Sequence, residues 1–200
     1  GQSVAQVAGN LLVGAPAAWA ISRLRFRGRS MVRGLYIVLM LLPFQVTMVP
    51  SYLVLRQFGL LDTPWAIILP GIFSTFPVFI MERGFDTIPR EVLESASIDG
   101  ANQWQRFWRI GIPLGIPGLI SALTLGFLDA WNAIEQPMTF LESPQYWPLS
   151  LFFTDPANLD TKQLGLAMAA SLWMLLPSIL VFRFGQTYLE AGLTKGAVKG

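Results

Sequence analysis

The chain has 200 residues, of which 53% are hydrophobic and only 13% charged, with a formal charge of +2. The charged share is about half the ~25% of a typical soluble domain, so the composition is that of a membrane protein. Cysteine and histidine are both missing, which excludes a disulfide framework, a Cys/His zinc site and a Ser-His-Asp triad.

Five stretches are apolar over enough length to cross a bilayer, for which about 20 residues suffice. They are Val4–Ile21, Gly34–Leu55, Trp65–Met81, Leu114–Ile134 and Leu164–Phe184, and with no long linker between them they read as one domain over residues 1–200. The first carries Gly9, Gly14, Ala17 and Ala18, small residues that allow close helix approach. An arginine-rich turn follows, Ser22 to Ser30. The second stretch contains Pro43 and Pro50 with Gln45 and Thr47 between them. Proline removes a donor and clashes one turn back, so a kinked helix is expected, either as a packing feature or as the wall of a polar path that includes Gln45. Pro70 and Pro77 in the third stretch and Pro177 in the fifth make the same point.

The longest polar interruption runs from Phe85 to Pro113, within a loop of about residues 82–113. Pro89 and Glu91 suit a first helical turn, which predicts a helix over Pro89 to Ser97. Gly100 suits a left-handed reversal, and Asp99 or Asn102 can cap a second helix. In that helix Trp104, Phe107 and Trp108 share one face, and Pro113 is expected to end it. Spacing alone is satisfied by an amphipathic helix pair lying on a bilayer.

In the fourth stretch Asp129, Asn132 and Gln136 fall at i, i+3 and i+7, with Trp131 and Glu135 on the neighbouring face. A carboxylate inside a span costs about 2.5–3.5 kcal/mol at the bilayer centre, so Asp129 is expected to face a partner or an aqueous cavity. Carboxylates, amides and an indole also suit a sugar, through hydrogen bonds to hydroxyls and stacking on the ring. The alternative is an Asp129 solvated near the interface or paired with a neighbouring subunit. Residues of about 135–162 read as a long external loop with several prolines, and Trp65 and Trp147 as an aromatic belt. The tail from Thr187 to Gly200 reads as a frayed terminus.

Basic residues set the orientation. Arg23, Arg25, Arg27, Arg29 and Arg33 crowd the first turn, Arg83, Arg90, Arg106 and Arg109 the central loop, and Lys195 and Lys199 the tail; the other two loops hold Arg56 and Lys162. The positive-inside rule then places those three regions, the C-terminus included, in the cytoplasm. Arginine clusters beside an apolar span are topology signals, and no nucleic-acid partner is expected.

The run Glu94-Ser95-Ala96-Ser97-Ile98-Asp99-Gly100-Ala101, followed by Phe107 and Pro113, resembles the EAA loop of permease subunits of binding-protein-dependent ABC importers. That loop reads E-A-A-x-x-x-G with D before the G, then F and P; Ser95 departs from the usual alanine. The ending Gly192 to Gly200 looks like the carbohydrate-uptake, maltose-type branch. The resemblance implies an all-α polytopic fold, usually of six spans, so that one helix would precede the five visible here. It implies that the loop is a coupling helix docking into a cytoplasmic ATPase dimer, with Glu91, Leu93, Glu94, Ser95, Ala96, Asp99, Gly100, Ala101, Phe107 and Pro113 in the motif. Glu94 would supply a charged contact, and Leu93 and Ala96 the apolar surface. It further implies a second permease, an unlike chain in the usual arrangement with an isologous homodimer as the alternative, an extracytoplasmic solute-binding protein, a sugar or oligosaccharide substrate, and the plasma membrane of a bacterium or archaeon. The chain lacks a G-x-x-x-x-G-K-[ST] loop, so ATP and Mg would sit on the partner ATPase and this chain would bind no cofactor. The rival reading is an ion-gradient-driven transporter or channel using Asp129, for which inverted repeats would be the trace; none is visible.

Overall fold

The computed structural model describes residues 1–152 and 164–197, and its regular elements are helical. In order they are α1 (Gln2–Arg23), α2 (Arg29–Leu41), α3 (Phe44–Gln57), α4 (Trp65–Ile72), α5 (Thr75–Asp86), α6 (Arg90–Ile98), α7 (Gln103–Arg106), α8 (Ile112–Asn132), α9 (Glu135–Phe140), α10 (Leu149–Phe152) and α11 (Leu164–Ala197). A π-helical turn at Phe107–Gly111 joins α7 to α8, and a 3-10 turn at Pro144–Tyr146 follows α9. Among the described residues, three stretches are long and apolar enough to cross a membrane: α1, α4 with α5, and α7 through α8. The bent pair α2–α3 makes a fourth if it counts as one span. Several side chains of α11 lie outside the described residues, and its sequence has no charged residue from Leu164 to Phe182.

α1 is the central helix, packed against α4, α5 and α8. Gly9 and Gly14 admit the side chains of Ile72 and Val78, as their small size suggested. α5 and α8 meet backbone to backbone, where a Cβ on Gly118 would lie 2.5 Å from the Cα of Gly84. At the arginine-rich end Trp19, Phe85 and Phe107 interlock, with ring centroids 5.3 Å apart for Trp19–Phe85 and 5.8 Å for Trp19–Phe107. Ile88 and Leu93 close that core. At the opposite end Leu55, Ala66, Ile67, Phe140 and Leu141 form a second core, against which Trp147 packs, while Trp65 is exposed.

Five expectations are corrected. The second span is not one kinked helix: it breaks at Leu42–Pro43, and the two halves diverge by 103°. Pro43 has extended backbone and lacks the N–H that would continue α2, whereas Pro50 is absorbed inside α3. The third span is interrupted at Phe73–Ser74 rather than at a proline, and runs on to Asp86. Pro113 does not end the second polar helix; it occupies the opening turn of α8, where a missing N–H costs nothing, so α7, the π turn and α8 run on as one rod. The residues after Glu135 are not simply loop but include α9, the 3-10 turn and α10, while residues 153–163, with Pro156 and Lys162, lie outside the described residues. The tail is helical to Ala197 rather than frayed from Thr187; Val198 to Gly200, with Lys199, lie outside the described residues.

Candidate functional site

The polar stretch folds as two helices around a reversal. α6 is followed by a Schellman motif: Ala101 N–H donates to Ala96 O at 2.9 Å and Gly100 N–H to Ser97 O at 3.2 Å, with Gly100 at φ +83°. Asn102 and Gln105 then exchange hydrogen bonds of 2.9 Å in a capping box that starts α7. Asp99 is the C-cap of α6 and does not cap α7. Glu91, Glu94, Ser95 and Asp99 are exposed, and Ala96 and Ala101 half-buried.

Leu93 departs from the expected outward-facing surface. It is buried in the chain's own core, where it anchors α6 to the body, and the apolar side chains left outside are Val92 and Ile98, the latter 86% exposed. Phe107 is buried in the same core, while Trp104 and Trp108 point outward, so the three aromatics touch one another without sharing one environment. Beside α6, a cleft of about 920 Å³ brings Arg25, Arg29 and Arg90 near Glu91 and Glu94.

A second cavity of about 690 Å³ lies between α1, the bent pair α2–α3, the α4–α5 break and α8. Asp129 and Gln136 line it together with Gln6, Asn10, Thr47 and Ser51. The remaining candidates point elsewhere. Gln45 Nε2 donates to Glu135 Oε2 at 2.8 Å, tying α3 to α9. Trp131 Nε1 donates to Met174 O of α11 at 3.0 Å and its ring stacks on Phe127. Asn132 Nδ2 turns back on Leu128 O at 2.8 Å. The expected stripe is therefore split: α8 ends at Asn132, Ala133 is extended, and Gln136 reaches the cavity from α9.

Sequence reasoning missed Gln6 and Asn10, which sit on α1 among small apolar residues. Asn10 Nδ2 donates to Ile72 O at 2.9 Å and Ser74 O at 3.0 Å, satisfying the carbonyls that the α4–α5 break frees. Buried amides in an otherwise apolar span were the available signal. Also missed was Asp62, at φ 54° after α3, whose carboxylate accepts from Glu142 N at 2.9 Å, Ser143 N at 2.7 Å and Ser143 Oγ. The Ser143 hydroxyl first, then the backbone N–H groups, hold that carboxyl below its ordinary range.

The sequence profile of the family described as "Binding-protein-dependent transport system inner membrane component" matches residues 10–195. The chain belongs to this family. The permease is 33% identical over 192 residues to the inner membrane ABC transporter permease protein YcjP of Escherichia coli K12, covering 95% of this chain and 69% of the relative. It is 32% identical over 203 residues to the diacetylchitobiose uptake system permease protein DasC of Streptomyces coelicolor, covering 99% and 72%. A crystal structure of a bacterial ABC transporter involved in the import of the acidic polysaccharide alginate superposes with a TM-score of 0.69 and 26% identity, over 98% of this chain and 71% of that one. The permease thus spans about seven-tenths of the length of these proteins. It is an inner-membrane transport subunit of an ABC importer and not an enzyme, and its system implies an ATPase and a solute-binding partner.

Proposed function

We propose that this permease forms one wall of an inward path for a sugar or oligosaccharide. An extracytoplasmic binding protein delivers the substrate, and a cytoplasmic ATPase dimer, which holds the ATP and Mg, drives transport through α6. The observation that carries the reading is the cavity containing Asp129, Gln136, Gln6 and Asn10. Among the described residues its lining offers a carboxylate and amides, which suits the hydroxyl groups of a sugar. The diacetylchitobiose uptake permease and the alginate importer, both similar to this chain, support a saccharide as the substrate class.

The arginine-rich end and the C-terminus face the cytoplasm in this reading, because the basic residues cluster there. α6 meets the ATPase through Glu91, Glu94, Ser95 and Ala96, with Ile98 and Val92 as its exposed apolar contacts. Asp99, Gly100 and Ala101 form the reversal that aims it, and Leu93, Phe107 and Pro113 fix its base. A second, unlike permease completes the path, and the region from Glu135 onward meets the binding protein.

The test is uptake by the reconstituted importer. Asp129→Asn is expected to lower uptake of the native sugar at least fivefold with the complex and its basal ATP hydrolysis intact; unchanged uptake would overturn the assignment of this cavity. Gly100→Val leaves open space around its side chain but imposes about 1–2 kcal/mol of left-handed strain. The ATPase is then expected to co-purify several-fold less well, and wild-type recovery would remove α6 as the docking element.

A further inference from the structure

Three helix ends meet at the arginine-rich end. Glu82 of α5 is only 3% exposed, and its carboxylate is gripped by the Nε of Arg33 on α2. The same guanidinium reaches Asp86, one turn further along α5, through Nη2 at 2.8 Å. The other oxygen of Asp86 accepts from Ser22 Oγ of α1 at 2.7 Å. Four residues before Arg33, Arg29 donates to the carbonyls of Ile21 at 2.6 Å and Ser22 at 2.5 Å, pinning the first turn of α2 to the end of α1.

This arrangement is directional. α2 fully buries no residue, and its packing on α5 is confined to a half-buried face that includes Val32, Tyr36 and Ile37. Its directed polar contacts are one pivot at Arg29 and one grip, a turn later, on α5. A buried carboxylate left without its cation is heavily penalised, so Glu82 and Arg33 stay together when either helix moves. α5 leads through Thr87 to Pro89 straight into α6, and Ile88 and Leu93 share one core, so the two helices move as a body. In the other direction α2 runs on into the bend, where Leu39, Met40, Leu42, Thr47 and Ser51 form one wall of the Asp129 cavity.

We propose that Arg33, Glu82 and Asp86 are a transmission joint, positioning residues through which a displacement of α6 by the ATPase is passed to α2 and so to the cavity wall. The proposal rests on the reading of α6 as the docking helix. Without the joint, α6 could move with α5 while α2 slipped along its half-buried contact face, and nucleotide state would bias the shape of the cavity less.

The chain has no cysteine of its own, so Leu42→Cys reports on the wall in the assembled importer. Its rate of reaction with N-ethylmaleimide is measured nucleotide-free and with ATP and vanadate. The expected result is at least a fivefold difference between the two states in the otherwise unmodified permease. Glu82→Gln and Arg33→Gln should bring it below twofold with the ATPase still bound, and Arg33→Lys should restore at least half of it. Full nucleotide dependence in both glutamine variants would overturn the joint. So would loss of the assembled complex in all three variants, which would make these residues a folding device, or an unmodified wall that does not respond to nucleotide. Failure of the ATPase to co-purify with the unmodified permease would instead overturn the docking reading of α6, and the joint with it.

Discussion

Two apolar stretches of this permease are interrupted, and they end up differently. The α4–α5 break stays within one length able to cross a membrane, and its freed carbonyls are taken up by Asn10 from the neighbouring helix. The α2–α3 break opens to 103°; α2 buries nothing and α3 only Leu55. Both stretches contain prolines, so proline does not distinguish them. What distinguishes them is that Asn10 donates to the carbonyls freed at the first break, whereas at the second Phe44 and Gln45 are drawn onto α9. The break bridged by Asn10 stays within one span, whereas the one whose far side is held by α9 turns aside and borders the cavity.

The largest expected effect comes from removing the packing that holds the stitched span. In Gly118→Leu the new Cβ would meet the Gly84 backbone, which cannot step aside as a side chain could. Overpacking of this kind costs roughly 1–3 kcal/mol, and here the upper end is expected. Thermal unfolding of the purified permease should show it, and an unchanged midpoint would mean that the α5–α8 crossing is looser than described.

Asn10→Leu sharpens the comparison directly. It leaves the Ile72 and Ser74 carbonyls without their donor, at a cost of roughly 1–3 kcal/mol, and should convert the stitched break into one that bends. Spin labels at Ile68 and Arg83 should then move closer together, while Asn10→Gln, which keeps a donor, should recover part of the distance. No change in distance with Asn10→Leu would show that packing alone keeps α4 and α5 in line.

The smallest effect concerns Asp62, which ties the turn after α3 to the segment after α9. Its folded-state pKa is lowered, so its contribution is present above the ordinary carboxylate range and is lost as pH falls through the depressed folded value. Ser143→Ala removes the first of the causes and should move that acid loss to higher pH. Asp62→Asn tolerates the positive φ and should abolish it. A carbon-13 titration of the Asp62 carboxyl checks the first, and cleavage of the 140–150 segment by protease against pH checks the second.

Much of this permease was determined by the order of its residues. The motif around Gly100 closes through backbone and neighbouring side chains within a few residues, so the reversal and the Asn102 cap were legible locally, as was the all-helical membrane character, though not the course of the second and third spans. The destination of a side chain was not. Leu93 turned inward because Ile88 and Phe107 offered a core on that side, and Trp131 and Asn132 found partners on α11 and α8 and left Asp129 and Gln136 to the cavity. The 103° turn at Pro43, the stitching by Asn10 and the grip of Arg33 on Glu82 and Asp86 join residues 49 to 64 positions apart, apart from the turn itself. Such contacts depend on which helix becomes a neighbour, and that is decided only when the helices pack.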